Sequence, residues 1–305
     1  MNRPKNQHWV PQFYLRHFAI PERHRKKNKA RVWIFSKDEA DGDESLTTVR
    51  AICATSYLYS PVSESGERGW DLESKLGELE TVLGAIWPKL AEGHMDLDDP
   101  VLRKELSLFV AVMHLRHPDN LGTVEQIHQS LMAFFEEMPT TSDGTPDVES
   151  VEIAGTAYPL DASSWHEYRA WGRNEHHRFF THILKSEAVR LAELLMQKRW
   201  SMIISERHTF VTTDKPIVVQ HPTKTNSRLR TPGVIVSFPI SPKRMLVMDD
   251  KHHDPANQYD PRQASGAGEI NCHLWRNGSR FMITGSSVHE VLAEIVEWED
   301  ALEQA

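Results

Sequence analysis

Near residue 198 the apolar residues of this chain change their period, and that change limits the folds open to it. From residue 71 to 198 they recur at steps of three and four, the spacing of one helix face. From 199 to 285 they fall into short β-branched segments separated by turn residues, at 200–204, 209–213, 217–220, 234–238, 245–248 and 280–283. A helical stretch followed by a strand-rich one predicts an α+β fold, with a helical N-terminal part packed on a largely antiparallel sheet formed by the C-terminal part. Its 305 residues lie near the size at which one core stops growing. The chain therefore reads as a single domain, 1–305, with helices over 71–198, strands over 199–285 and a closing helix over 288–302.

Within the helical part, Leu72, Leu76, Leu79, Leu83, Ile86 and Leu90 define an amphipathic helix from about 71 to 92. A second line runs beside that stripe: Glu73, Gly77, Glu80 and Gly84 put two carboxylates and two positions without side chains along one face. Pro88 is expected to bend or end this helix. Asp98 or Asp99 can cap the next one, with Pro100 at its first position and Pro118 after its end. A third helix, about 121–137, is expected to bury Val124, Ile127, Leu131, Phe134 and Phe135. Residues 138–164 predict a long loop or small hairpin, and 165–198 a short helix broken near Gly172 and then a long one. Ahead of all this, the aromatic-rich residues 8–18 predict a packed N-terminal segment and residues 32–35 a short buried strand. The basic run at 23–31 and the acidic one at 38–44 read as solvated loops.

Charge and cysteine content exclude several classes of protein. With 35 Lys and Arg against 43 Asp and Glu, the net charge of -8 supplies no overall attraction to a polyanion or an anionic membrane. Two cysteines, Cys53 and Cys272, cannot build a disulfide framework or a four-thiolate zinc site. No apolar run approaches the ~18 residues of a membrane span, and the first residues lack a signal-peptide core. A cytoplasmic protein with no membrane partner is expected.

No short motif announces a reaction. Gly-x-Ser-x-Gly, His-Glu-x-x-His and Cys-x-x-Cys are absent. Among 17 histidines, the pairs His114/His117 and His177/His182 have imperfect ligand spacing, and His252-His253-Asp254 reads as solvated loop. Ser265-Gly-Ala-Gly268 has some likeness to a phosphate-cradling loop but lacks the accompanying strand and Lys-Ser/Thr. Glu73 and Glu80 can flank a site as general base and acid or hold a divalent metal, being two turns apart on one face, although a solvated polar flank is the default for such a pair. Asp214, in Thr212-Thr213-Asp214-Lys215-Pro216, either presents a carboxylate at a strand end or builds an Asx-turn.

Five segments in order carry a resemblance: His8-x-x-Pro11-x-x-Tyr14-Leu15-x-x-Phe18, the glycine-bearing helix from Leu72-Glu73 to Glu80, Leu115-Arg116-x-Pro118, Phe210-x-Thr212-Thr213-Asp214-x-Pro216, and Phe238-Pro239-Ile240-Ser241-Pro242. Together they make the chain similar to domain of unknown function family 4238, found in bacteria and fungi, over about 7–283. Thr213 stands where that family usually has Ser, and Arg16 where relatives also carry Lys. No activity transfers with the resemblance. It implies instead that His8, Tyr14, Arg16, Glu73, Glu80, Arg116, Asp214 and Asn271 share one pocket. The expected function is then a hydrolase-like enzyme acting on a phosphate-containing small molecule or nucleic acid. His8, Glu73, Glu80 and Asp214 would be catalytic, Tyr14, Arg16, Arg116 and Asn271 would bind substrate, and Glu73, Glu80 and Asp214 would hold a divalent metal, Mg or Mn. The alternative is a non-catalytic binding or regulatory protein in which the charges form a structural buried cluster.

Overall fold

The computed structural model describes residues 4–21, 30–37, 44–153, 156–205, 210–225, 227–254, 258–262 and 267–303. Most of the basic and acidic runs, with Thr209, Ser265 and Gly266, lies outside these residues. At the N-terminus, β1 (Asn6–His8) leads into α1 (Gln12–Leu15), which starts directly after Pro11, and a 3-10 turn (Arg16–Phe18). Strands β2 (Arg31–Ser36), β3 (Glu44–Thr48) and β4 (Ala54–Ser56) follow, and β4 pairs back onto β1. Val10, Tyr14, Leu15 and Phe18 are fully buried, so this end is packed as its aromatics predict.

Three long helices come next: α2 (Asp71–Glu92), α3 (Pro100–Leu115) and α4 (Pro118–Glu136). Helix α2 runs through Pro88 rather than stopping there. Its last turn is held from outside, because the buried Arg244 guanidinium donates to the carbonyls of Leu90, Glu92 and Gly93. Those bonds satisfy acceptors that a helix end otherwise leaves to water, offsetting the amide hydrogen lost at proline. Asp99 caps α3, its carboxylate accepting from the amides of Val101 and Leu102 at 2.8 and 2.9 Å. Helix α4 begins three residues before its expected start, because Pro118 serves as its first residue and His117 caps it, Nδ1 facing the Asp119 amide at 3.2 Å.

The buried face of α4 also differs from expectation. Val124, His128 and Phe135 are buried, whereas Ile127 and Phe134 are 54% and 40% exposed. An apolar count overlooks a histidine on the core line. Here His128 earns that position by reaching the Tyr168 carbonyl at 2.9 Å and packing its ring on Tyr168 and Trp171.

A small hairpin, β5 (Ser150–Ile153) with β6 (Thr156–Pro159), occupies the stretch expected to be loop or hairpin. It is followed by α5 (Trp165–Arg169) and α6 (Arg173–Gln197), separated at Gly172, whose amide donates to the Glu175 carboxylate at 2.9 Å. The remaining elements are β7 (Arg199–Ser205), β8 (Thr212–Thr213), β9 (Val218–Gln220), β10 (Ile235–Ser241), β11 (Arg244–Asp249), β12 (Gln258–Arg262), α7 (Ala267–Asn277), β13 (Phe281–Thr284) and α8 (Val288–Glu303).

Helices and largely antiparallel sheets make up the fold. One sheet of order β12-β7-β11-β10-β9 is antiparallel except for the β12–β7 pair, and β12 is a strand the sequence pattern did not signal. Its two faces follow the period of two. Met202, Val236, Phe238, Leu246 and Met248 face a large core with α2, α3 and α6, while Ile203, Met245 and Val247 face a smaller core with α7 and α8. The second sheet, β3-β2-β13-β8, joins strands from both ends of the chain, so the division into a helical first part and a sheet-forming second part is not strict. Among the described residues no helix is long and apolar enough to cross a membrane.

Candidate functional site

An aromatic knot fixes α1 against the large sheet. Tyr14 stacks on Phe238 with ring centres 5.3 Å apart, and its hydroxyl lies 2.7 Å from Thr212 Oγ1 and donates to the Pro239 carbonyl at 2.8 Å. Burial pushes the Tyr14 phenol well above its ordinary pKa, so it is neutral. Next to it, Phe13 packs edge-on against Trp87 of α2 and lies 3.7 Å from where a side chain on Gly84 would begin. One of the two glycines on the acidic face therefore receives a neighbour.

The other glycine opens a cleft. Gly77 would meet nothing within 4 Å if given a Cβ, and it lines a cleft of about 360 Å³ between β1–α1 and α2. His8, Gln12, Phe13 and Arg16 form one wall, Glu73, Gly77 and Glu80 the other, with Tyr59 between them. Glu73 and Glu80 stand on either side of Gly77, roughly 10 Å apart along the helix axis from their seven-residue separation.

Arg116, 1% exposed, adjoins this cleft. Its Nε donates to the Trp9 carbonyl at 2.6 Å and its Nη1 to Glu80 Oε1 at 3.0 Å, while its own carbonyl accepts from the Tyr59 hydroxyl at 3.0 Å. Nη2 is buried without a hydrogen-bond partner. Glu80 is thus tied to a buried cation, and Glu73 is not. Burial, reinforced by the negative charge of Glu80 and opposed by Arg116, pushes Glu73 up to about 7. Burial also lowers the His8 pKa, with Arg116, Arg50 and Arg16 contributing, against a raising hydrogen bond to Arg50. A neutral His8 whose Nε2 donates to the Arg50 carbonyl at 3.2 Å keeps Nδ1 as a proton acceptor. Arg16 places Nη2 3.4 Å from Gln12 Oε1.

The Glu73 shift has a consequence for folding. Its folded pKa lies above the unfolded value of about 4.3, so between roughly pH 4.3 and 7 the folded chain holds a proton that the unfolded chain has released. This group therefore makes stability fall as pH rises through that window. Glu73→Gln removes the effect: the variant is expected to match the parent near pH 4 and to exceed it at pH 8. Urea midpoints at the two pH values measure this, and parallel pH profiles for parent and variant would contradict it.

Of the eight family-matched polar residues, His8, Arg16, Glu73 and Glu80 line the cleft, and Arg116 joins them through Glu80. Tyr14, Asp214 and Asn271 are used elsewhere. Tyr14 belongs to the knot, and Asn271 Oδ1 accepts from the Val211 amide at 3.0 Å, tying α7 to the segment before β8. Both oxygens of the buried Asp214 take main-chain amides, Oδ1 from Ser279 at 2.9 Å and Phe281 at 3.3 Å, Oδ2 from Arg280 at 2.9 Å. The Asp214 carbonyl accepts the Trp9 indole at 3.1 Å, so Trp9 lies between Asp214 and Arg116. The single pocket implied for all eight is therefore divided. Among the described residues no three His, Cys, Asp or Glu side chains are grouped to hold a metal ion.

Tyr59 and the Trp9 carbonyl are site components that sequence reasoning missed. Tyr59 sits in a stretch without periodicity, and a main-chain acceptor leaves no trace in side-chain patterns. His114 and His117 also separate in role: burial, with help from Lys215, lowers His114 to about 4, while His117 caps α4. His177 donates its Nε2–H to the Leu58 carbonyl at 2.7 Å.

No curated protein and no solved structure gives a significant match to the chain. The family model described as "Protein of unknown function (DUF4238)" matches residues 6–287. With nearly its whole length covered, the cleft residues and the Asp214 segment included, the chain belongs to that family.

Proposed function

We propose that the chain is a hydrolase acting on a phosphate-containing substrate in the Glu73–Glu80 cleft. One observation carries the reading: a carboxyl that titrates near neutrality and a carboxylate paired to a buried guanidinium flank Gly77, and both face His8 and Arg16 across one opening. Arg16 is the group to take up a phosphoryl oxygen. Neutral His8 is the group to take a proton from the attacking water, and protonated Glu73 the one to give a proton to the leaving oxygen as the phosphoester bond breaks. The cleft's volume suits a nucleotide-sized molecule better than a polymer, and the net charge of -8 points the same way. A metal-assisted version is open to the same residues: Glu73 and Glu80 would supply two carboxylates to Mg or Mn, with water and substrate oxygens completing the shell. Cys53 and Cys272 are both buried and not joined in a disulfide, which suits a reducing compartment, and we place the protein in the cytoplasm.

A second reading, a non-catalytic binding or regulatory protein, is favoured by one specific contact set. Arg116 ties together Trp9, Glu80 and Tyr59 from three separate segments, which is what a structural charge cluster does. Hydrolysis of p-nitrophenyl phosphate and bis(p-nitrophenyl) phosphate, with and without Mn, separates the readings. The hydrolase reading expects release of nitrophenol that Glu73→Gln reduces at least 100-fold without loss of stability, in line with the usual contribution of a general acid. It also expects Gly77→Leu, which fills the cleft, to abolish turnover while Gly77→Ala folds at least as stably as the parent. Turnover that survives both Glu73→Gln and Gly77→Leu, or no turnover and no phosphate binding, overturns it.

A further inference from the structure

We infer that the aromatic pocket formed by the end of α4, the segment 160–164, α5 and Trp171 binds an alkylated ammonium group. This site is separate from the Glu73 cleft and does not depend on the hydrolase reading. Its cavity of about 390 Å³ is lined by Phe135, Trp165, Tyr168 and Trp171, with Asp161 and Glu167 at the same opening and no cationic residue among the lining side chains.

The rings are arranged in two edge-to-face pairs. Phe135 and Trp165 lie 5.1 Å apart at 69°, and Tyr168 and Trp171 lie 4.8 Å apart at 65°. Rings set at such angles present faces in more than one direction, which suits a rounded cation better than a flat ring system. The pocket is held from behind. Trp165 donates its indole hydrogen to the Gly144 carbonyl at 2.9 Å, and His128 backs Trp171 at 28° while reaching the Tyr168 carbonyl at 2.9 Å. This support is why His128 takes the core line of α4 that the apolar pattern assigned to Ile127.

Charge selects among ligands that stack on aromatic rings. Neither Asp161 nor Glu167 forms an ion pair among the described residues, and Glu167 is exposed. Two carboxylates without a paired cation repel phosphates and other anions and attract a cation, whose attraction to the ring faces strengthens where water is displaced. A quaternary or methylated ammonium has the required positive charge and a greasy surface that gives up water easily. A bare ammonium is more strongly hydrated and fits less well.

Calorimetric titration with choline, paired with its neutral carbon isostere 3,3-dimethyl-1-butanol, tests the assignment on the full chain. Choline is expected to bind at least about tenfold more tightly than the isostere, a ratio that corresponds to about 1.4 kcal/mol. Glu167→Lys, a change at an exposed position, should weaken choline by a similar factor and leave the isostere unchanged, and Trp171→Leu should weaken choline further. Equal binding of choline and isostere would show an ordinary apolar pocket and overturn the inference. So would binding of methyl glycosides in preference to choline, or absence of choline binding at millimolar concentration in a parent protein shown to be folded.

Discussion

Arg116→Met is expected to cost roughly 3 to 5 kcal/mol of folding stability, the range for breaking one side of a buried ion pair. The buried guanidinium holds two acceptors, the Trp9 carbonyl at 2.6 Å and Glu80 at 3.0 Å, and methionine supplies neither donor. Glu80→Gln is expected to cost less. Its side chain is 30% exposed against 1% for Arg116, so water compensates for part of what it loses. The pair should be strongly coupled, with the double variant less damaged than the sum of the two, because removing both leaves no uncompensated charge. Urea denaturation of the four proteins measures the cycle. Additive effects would mean that the 3.0 Å contact does not hold the segments together. The same substitution bears on chemistry, since Arg116 is the positive charge that opposes the rise of Glu73. Without it the Glu73 titration should move further up, and the alkaline limb of any pH–rate profile, which the loss of the general acid's proton sets, should move with it. A purely structural Arg116 would leave that limb in place.

Sequence period revealed the helices because α2, α3 and α6 each bury one long apolar stripe against the same sheet face, and a stripe of that kind is visible residue by residue. It failed on α4, where the buried line runs through His128 and where Ile127 and Phe134 remain outside. It also failed on β12, whose partner β7 lies more than fifty residues earlier and runs parallel to it. In the cleft, the Glu73–Gly77–Glu80 line was legible because helix geometry alone puts these positions on one face. What the line could not reveal is which carboxylate is paired. That depends on Arg116, brought in by α3, and on a carbonyl of Trp9 from the other end of the fold. Asp214 had the outward features of a site residue, an acid at a strand end before proline. Nothing in its neighbours indicates that the carboxylate turns toward amides 65 to 67 positions later.

That geometry makes Asp214→Asn a structural lesion of about 3 kcal/mol. Three amides converge on one buried carboxylate, and hydrogen bonds to a charged acceptor contribute about 1.5 to 3 kcal/mol each. Asparagine keeps one oxygen for the Ser279 and Phe281 amides but points an NH2 at the Arg280 amide, or the reverse. Either way, at least one buried N–H faces a donor. The damage should spread along a defined route. The loop 278–280 orders β13, β13 pairs with β2 and β8, and the Asp214 carbonyl holds the Trp9 indole whose own carbonyl receives Arg116. Hydrogen exchange at residues 279–284 and at Trp9 is therefore expected to quicken in the variant more than exchange within α6, which makes none of these contacts. The opposite pattern, unchanged stability and exchange with loss of turnover toward a phosphoester, would put the Asp214 carboxylate into the chemistry and require the cleft to extend past Trp9.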